Sequence, residues 1–99
     1  MIKIEVTNNH ISILGHANYD DYGKDIVCAA VSSTIITSVE AIAKFDINAI
    51  TVIEKSDKLE LIKNRHDEVT NKIIDNMLNL LHELEKKYPK NIKITNKEE

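Results

Sequence analysis

The pattern that most narrows what this chain can fold into is a change of hydrophobic period that occurs twice. Ile2, Ile4 and Val6 alternate with Lys3 and Glu5. That period of two marks a strand with one buried face. Thr7-Asn8-Asn9 reads as a turn, because asparagine tolerates the positive φ of a tight hairpin. Ile11, Ile13 and Leu14 then predict a second, antiparallel strand that stops at Gly15. From Asp25 the period becomes helical: Val27, Val31, Ile35, Val39 and Ile42 recur at intervals of three or four, to an end near Lys44-Phe45. The scheme then repeats. Residues 49–54 and 58–63 predict a hairpin around Lys55-Ser56-Asp57, and 67–87 predict a second helix. Asn64 is its candidate N-cap, with Asp67 in the first turn. Val69, Ile73, Met77, Leu80 or Leu81, and Leu84 form its expected apolar stripe, and Tyr88-Pro89 stops it. Ile92 and Ile94 predict a short last strand.

The order ββαββαβ favours an α+β two-layer sandwich, a mostly antiparallel sheet carrying both helices. With 99 residues, we expect one domain over 1–95 and a short polar tail over 96–99. A hydrophobic fraction of 42% beside 29% charged residues fits a globular chain rather than a disordered one. Aromatics are confined to Phe45, Tyr19, Tyr22 and Tyr88, so the core must be aliphatic. A core this small gains from pairing with a second copy.

The formal charge of -3 argues against a general nucleic-acid binder, which needs an excess of Lys and Arg to displace counterions. Lys3 and Glu5 interrupt the first apolar run, so no secretory signal is expected. No apolar run approaches the roughly 20 residues of a bilayer span. These features point to a cytoplasmic location with no membrane partner. His10, His66 and His82 make no metal-ligand spacing with a cysteine or with one another, so neither metal nor cofactor is expected.

Residues 16–24 lack sustained periodicity and form a loop longer than the usual connection of about 4–6 residues. Long ordered loops in small domains disproportionately carry function. At its start stands His16. Just beyond its end, about one turn inside the first helix, stands Cys28, the lone cysteine. The thiolate is the nucleophilic form of cysteine, and a helix N-terminus favours negative charge. A strand end and the next helix start can lie at one edge of a small sandwich, so the loop can bring an imidazole base to the sulfur. Asp25 and Ser32 lie three residues before and four after Cys28, on the same helix face. Three roles are open to Asp25: capping the helix, orienting His16, or binding substrate. Helix-start N–H groups are candidates for an oxyanion hole. Gly23 is a candidate hinge for residues 17–24. Asp20 and Asp21 are either solvated or placed to draw basic residues of a substrate. The bland alternatives are a small buried Cys28, a backbone-satisfied His16, a Ser32 hydroxyl bonded to the preceding turn, and Gly15 and Gly23 as simple turn residues.

Gly15-His16-Ala17, then Gly23, then Asp25-Ile26-Val27-Cys28-Ala29-Ala30-Val31-Ser32 resembles the Prp family of ribosomal-processing cysteine proteases. Written as GHA-x5-G-x-DIVCAAVS, the pattern is far more specific than a lone Cys and a lone His. The resemblance implies an α+β homodimer with a flexible loop over a His–Cys dyad, and a Firmicutes-type bacterium or a relative. It implies Cys28 as nucleophile and His16 as base, with Gly15, Gly23, Asp25 and Ser32 at supporting motif positions. The implied activity is cysteine-type endopeptidase cleavage of the N-terminal extension of a large-subunit ribosomal protein (number twenty-seven) before it serves in the ribosome. Two other readings compete. One is a ribosome-associated assembly protein with a structural Cys28. The other is a thiol redox sensor, which lacks a resolving cysteine in the chain.

Overall fold

The computed structural model describes residues 1–21 and 24–97. The elements follow the expected order: β1 (Ile2–Val6), β2 (His10–Leu14), α1 (Ile26–Phe45), β3 (Ile50–Glu54), β4 (Lys58–Lys63), α2 (Glu68–Lys87) and β5 (Ile92–Asn96). The five strands form one sheet in the order β3-β4-β2-β1-β5. Three of its pairings are antiparallel. The fourth, β5 against β1, is parallel, with Ile2 opposite Ile92 and Ile4 opposite Ile94. The sheet is thus mixed but mostly antiparallel, as the α+β reading anticipates. β5 reaches into the stretch expected to be tail: Asn96 pairs with Val6, and the Lys97 N–H donates to the Val6 carbonyl at 2.8 Å.

One face of the sheet carries the core. Ile2 and Ile4, Ile11 and Ile13, Leu61 and Ile92 meet Val27, Val31, Ile35 and Ile42 of α1 and Ile74, Met77 and Leu81 of α2 in a single cluster. Burial of this aliphatic surface is what holds two β-rich hairpins and two helices together. On α1 the expected stripe is buried except that Val39 is half-exposed and Ser38 takes a buried place. Ser38 can do so because its hydroxyl donates to the Thr34 carbonyl at 2.8 Å, while the Thr34 hydroxyl donates to the Ala30 carbonyl at 2.8 Å. By length and apolarity alone, α1 qualifies as a bilayer span, which the run-length reading did not anticipate. The row Val27, Val31, Ile35 and Ile42 is instead buried against the rest of the domain.

α2 departs from its expected details. Its N-cap is Asp67, not Asn64: Asp67 Oδ1 accepts from the Thr70 N–H at 2.9 Å and Oδ2 from the Thr70 hydroxyl at 3.1 Å. Asn64 ties loops instead, donating through Nδ2 to the Asn48 carbonyl and the Thr51 hydroxyl. The buried row is Thr70, Ile74, Met77 and Leu81, whereas Val69 and Leu80 are exposed and Ile73 and Leu84 half-buried. The cap explains the shift. With its hydroxyl satisfied by Asp67, Thr70 is buried at low cost, and the helix turns that side to the sheet.

Candidate active site

β2 delivers the chain to Gly15, and backbone geometry fixes the path beyond it. Gly15 has a φ of +88°, and its N–H donates to the Asp57 carbonyl at 3.0 Å, in the turn between β3 and β4. A Cβ at this position would lie 2.7 Å from the Met1 carbonyl oxygen, so the close approach of the first strand requires glycine. His16 emerges next, at the start of the loop and on the wall of a cleft. Ala17 is buried, and both of its backbone groups are used. Its carbonyl accepts from Asn91 Nδ2 at 2.9 Å, and its N–H donates to the sulfur of Cys28 at 3.2 Å.

Cys28 is half-buried in the first turn of α1. Asp25 organises the backbone around it. One carboxylate oxygen, Oδ1, accepts from the Val27 and Cys28 N–H groups at 3.0 and 2.9 Å, which caps α1. The other, Oδ2, accepts from the Tyr19 and Asp20 N–H groups at 2.9 and 3.4 Å. Desolvation works to raise this carboxyl, but the four N–H donors outweigh it and hold Asp25 below the ordinary aspartate range. Of the roles open to it, capping is therefore occupied, and a second task, clamping the loop, is added. The Val27 and Cys28 N–H groups expected to face an oxyanion are turned to Asp25. Tyr19 adds a further anchor, its ring meeting Tyr88 edge-on at 5.5 Å.

The cleft, of about 670 Å³, lies between α1 and the β3–β4 hairpin. Gly15, His16, Cys28 and Ser32 all line it. Ser32 is exposed one turn beyond Cys28. Asp25 stands outside the cleft wall and acts through the backbone. Gly23 lies outside the described residues. Asp20 and Asp21 do not line the cleft; Asp20 Oδ1 accepts from the Asp21 N–H at 2.7 Å. Two contributors had no local signal in the sequence. Asn91 reaches the loop from just before the last strand, and the Ala17 N–H is anonymous backbone. Only the motif's GHA step hinted that residue 17 matters.

Fold and cleft together define a small α+β domain with a helix-start cysteine whose sulfur has an N–H donor, and a histidine on the wall of the same cleft. The family described as cysteine protease Prp matches residues 1–93. The chain belongs to that family. Its relatives include the ribosomal processing cysteine protease Prp of Mycoplasma genitalium, 49% identical over 39 residues, which is 39% of each chain. The protein of the same name from Mycoplasma pneumoniae is 43% identical over 54 residues, 54% of this chain and 51% of its own. The matched stretches thus span at most about half of those relatives. The crystal structure of an essential ribosomal processing protease Prp from S. aureus, with a covalently linked product peptide, superposes with a TM-score of 0.92. At 25% identity, the match covers 98% of this chain and 100% of that one.

Proposed function

We propose that this chain is a cysteine endopeptidase in which His16 and Cys28 act as a dyad. The observation that carries the reading is the Cys28 sulfur, fixed at the Ala17 N–H in a cleft that His16 also lines. His16 accepts the thiol proton, and the thiolate attacks the scissile carbonyl carbon. The Ala17 N–H, which donates to the sulfur, stabilises the thiolate that makes this attack. The C–N bond then breaks, the imidazolium protonates the leaving amine, and water hydrolyses the thioester to regenerate the thiol. Gly15 and Asp25 hold the two ends of the loop on which this depends.

The substrate we infer is the N-terminal extension of a large-subunit ribosomal protein (number twenty-seven), cleaved in the cytoplasm. The motif resemblance supports it, as do relatives named for ribosomal processing. The decisive measurement is mass spectrometry of that extended protein after incubation with this chain. Intact chain yields two fragments, whereas Cys28→Ala and His16→Ala leave the precursor whole. Cleavage retained by either variant rules out the dyad.

A further inference from the structure

The cleft continues well past the cysteine. Along α1 it is lined by Cys28, then Val31 and Ser32, then Ile35 and Ile36, then Val39 and Glu40. These positions fall on successive turns of one helix face. The opposite wall is the β3–β4 hairpin, which contributes Val52 and Glu54 from β3 and Leu59 and Leu61 from β4. The interior is apolar. Glu40 is the acid on its α1 wall; Glu54 and Asp57 belong to the end where the β3–β4 turn meets Gly15, and that turn also lines the cleft with Lys55 and Lys58. None of the three acids makes an ion pair among the described residues, whereas Lys55 and Lys58 reach Glu60 at 3.9 and 3.0 Å.

The length of this trough sets a register. At 1.5 Å per residue, the helix from Cys28 to Glu40 rises about 18 Å. An extended peptide advances about 3.3 Å per residue, so five or six residues cover that span. A lysine or arginine side chain adds reach of its own, which widens the window by about one residue. We propose that Glu40, at the far end of the trough, selects peptides that carry a basic residue four to six positions from the scissile bond, with apolar residues between. The apolar floor takes the intervening side chains, and the Glu40 carboxylate takes the cation. This deepens the endopeptidase reading and rests on it for the location of the scissile bond. It also moves the acidic contact away from Asp20 and Asp21, which lie outside the cleft.

The test separates binding from cleavage. A peptide series keeps one apolar core and places a single lysine two to eight residues to either side of the bond that the intact chain cleaves, each with an alanine control. Binding is read by fluorescence anisotropy on the Cys28→Ala chain, at low and high salt. Lysine within the four-to-six window is expected to tighten binding about three- to fivefold over alanine, the scale of one exposed ion pair. The advantage shrinks as salt screens it. In a chain that also carries Glu40→Gln, with circular dichroism confirming its fold, the lysine-to-alanine ratio falls to about one. A ratio that survives this substitution, a preference independent of position, or no binding of any peptide overturns the proposal. Lysine-dependent binding at the expected distance from the apolar core, with no peptide cleaved, would leave the groove standing and remove the endopeptidase reading. Cleavage without lysine preference would do the reverse.

Discussion

Gly15 shows how a single position transmits the fold to the chemistry. It has to leave β2, pass beneath the Met1 carbonyl and present His16, and it does so at a φ of +88°. An L side chain in that region costs about 1–2 kcal/mol before any contact with Met1 is counted. We predict that Gly15→Ala lowers unfolding stability by at least about that amount, read as a shift in the denaturant midpoint. Under conditions where the variant is fully folded, its kcat/KM should still fall, because the displaced backbone is the one that carries His16. Full activity in a folded variant would show that the histidine does not depend on this geometry. That His16 and Cys28 belong to one site was legible as residue types in a motif, and both line the same cleft. The roles of Ala17 and Asn91 were not, because a backbone N–H has no letter of its own, and an asparagine near a strand start looks like many others.

Among the elements, the link between loop and first helix is the one most open to experiment. Asp25 accepts from both, and its carboxyl is held below the ordinary value of 3.8 by the N–H donors. The unfolded carboxyl ionises near that ordinary value, and the folded one ionises at lower pH. Its contribution is therefore complete above the ordinary value and is lost as pH falls through the lower folded value. Site-resolved hydrogen exchange should show the Tyr19, Asp20, Val27 and Cys28 amides losing protection in acid relative to the sheet. Asp25→Ala should produce the same loss at neutral pH. Unchanged protection in that variant would mean the loop is held by its Asn91 and Tyr88 contacts alone. Hydrophobic period located every element, since two-residue and helical spacings are hard to confuse over these lengths. The cap of α2 was misplaced because Asn64 and Asp67 are both good capping types, and only the Thr70 contacts distinguish them. The parallel partner of β5 was not readable either: Ile92 and Ile94 announce a buried strand face but not which strand lies beside it.

For the molecule as a whole, the open question is what covers its remaining apolar surface. Phe45 and Ile47, at the end of α1 and just after it, are 72% and 74% exposed, and β3 is an edge strand with Ile53 partly open. Single exposed apolar residues are ordinary, but a grouped set beside a free sheet edge marks an interface. We infer a homodimer formed on this side. Sedimentation equilibrium should return twice the 11.2 kDa chain mass, and Phe45→Lys combined with Ile47→Lys should return the single mass. An unmodified chain that stays monomeric at tens of micromolar would exclude the pairing. The aliphatic core was foreseeable from the shortage of aromatics. The cleft was not, because it arises where α1 and the β3–β4 hairpin diverge, and no local pattern encodes the gap between two elements.

The Asn91 amide that holds the Ala17 carbonyl comes 74 residues later in the chain, and β1 waits longer still for β5 to lie against it. Synthesis runs from the N-terminus, so His16, Cys28 and the Asp25 clamp are made well before Asn91 and Tyr88, the loop's other anchors. A half-made chain carries the thiol without this support, and the loop acquires its far anchor only when the end of the domain arrives. The order of translation thus sets the Ala17 backbone, and with it the N–H on the Cys28 sulfur, only after Asn91 has been added.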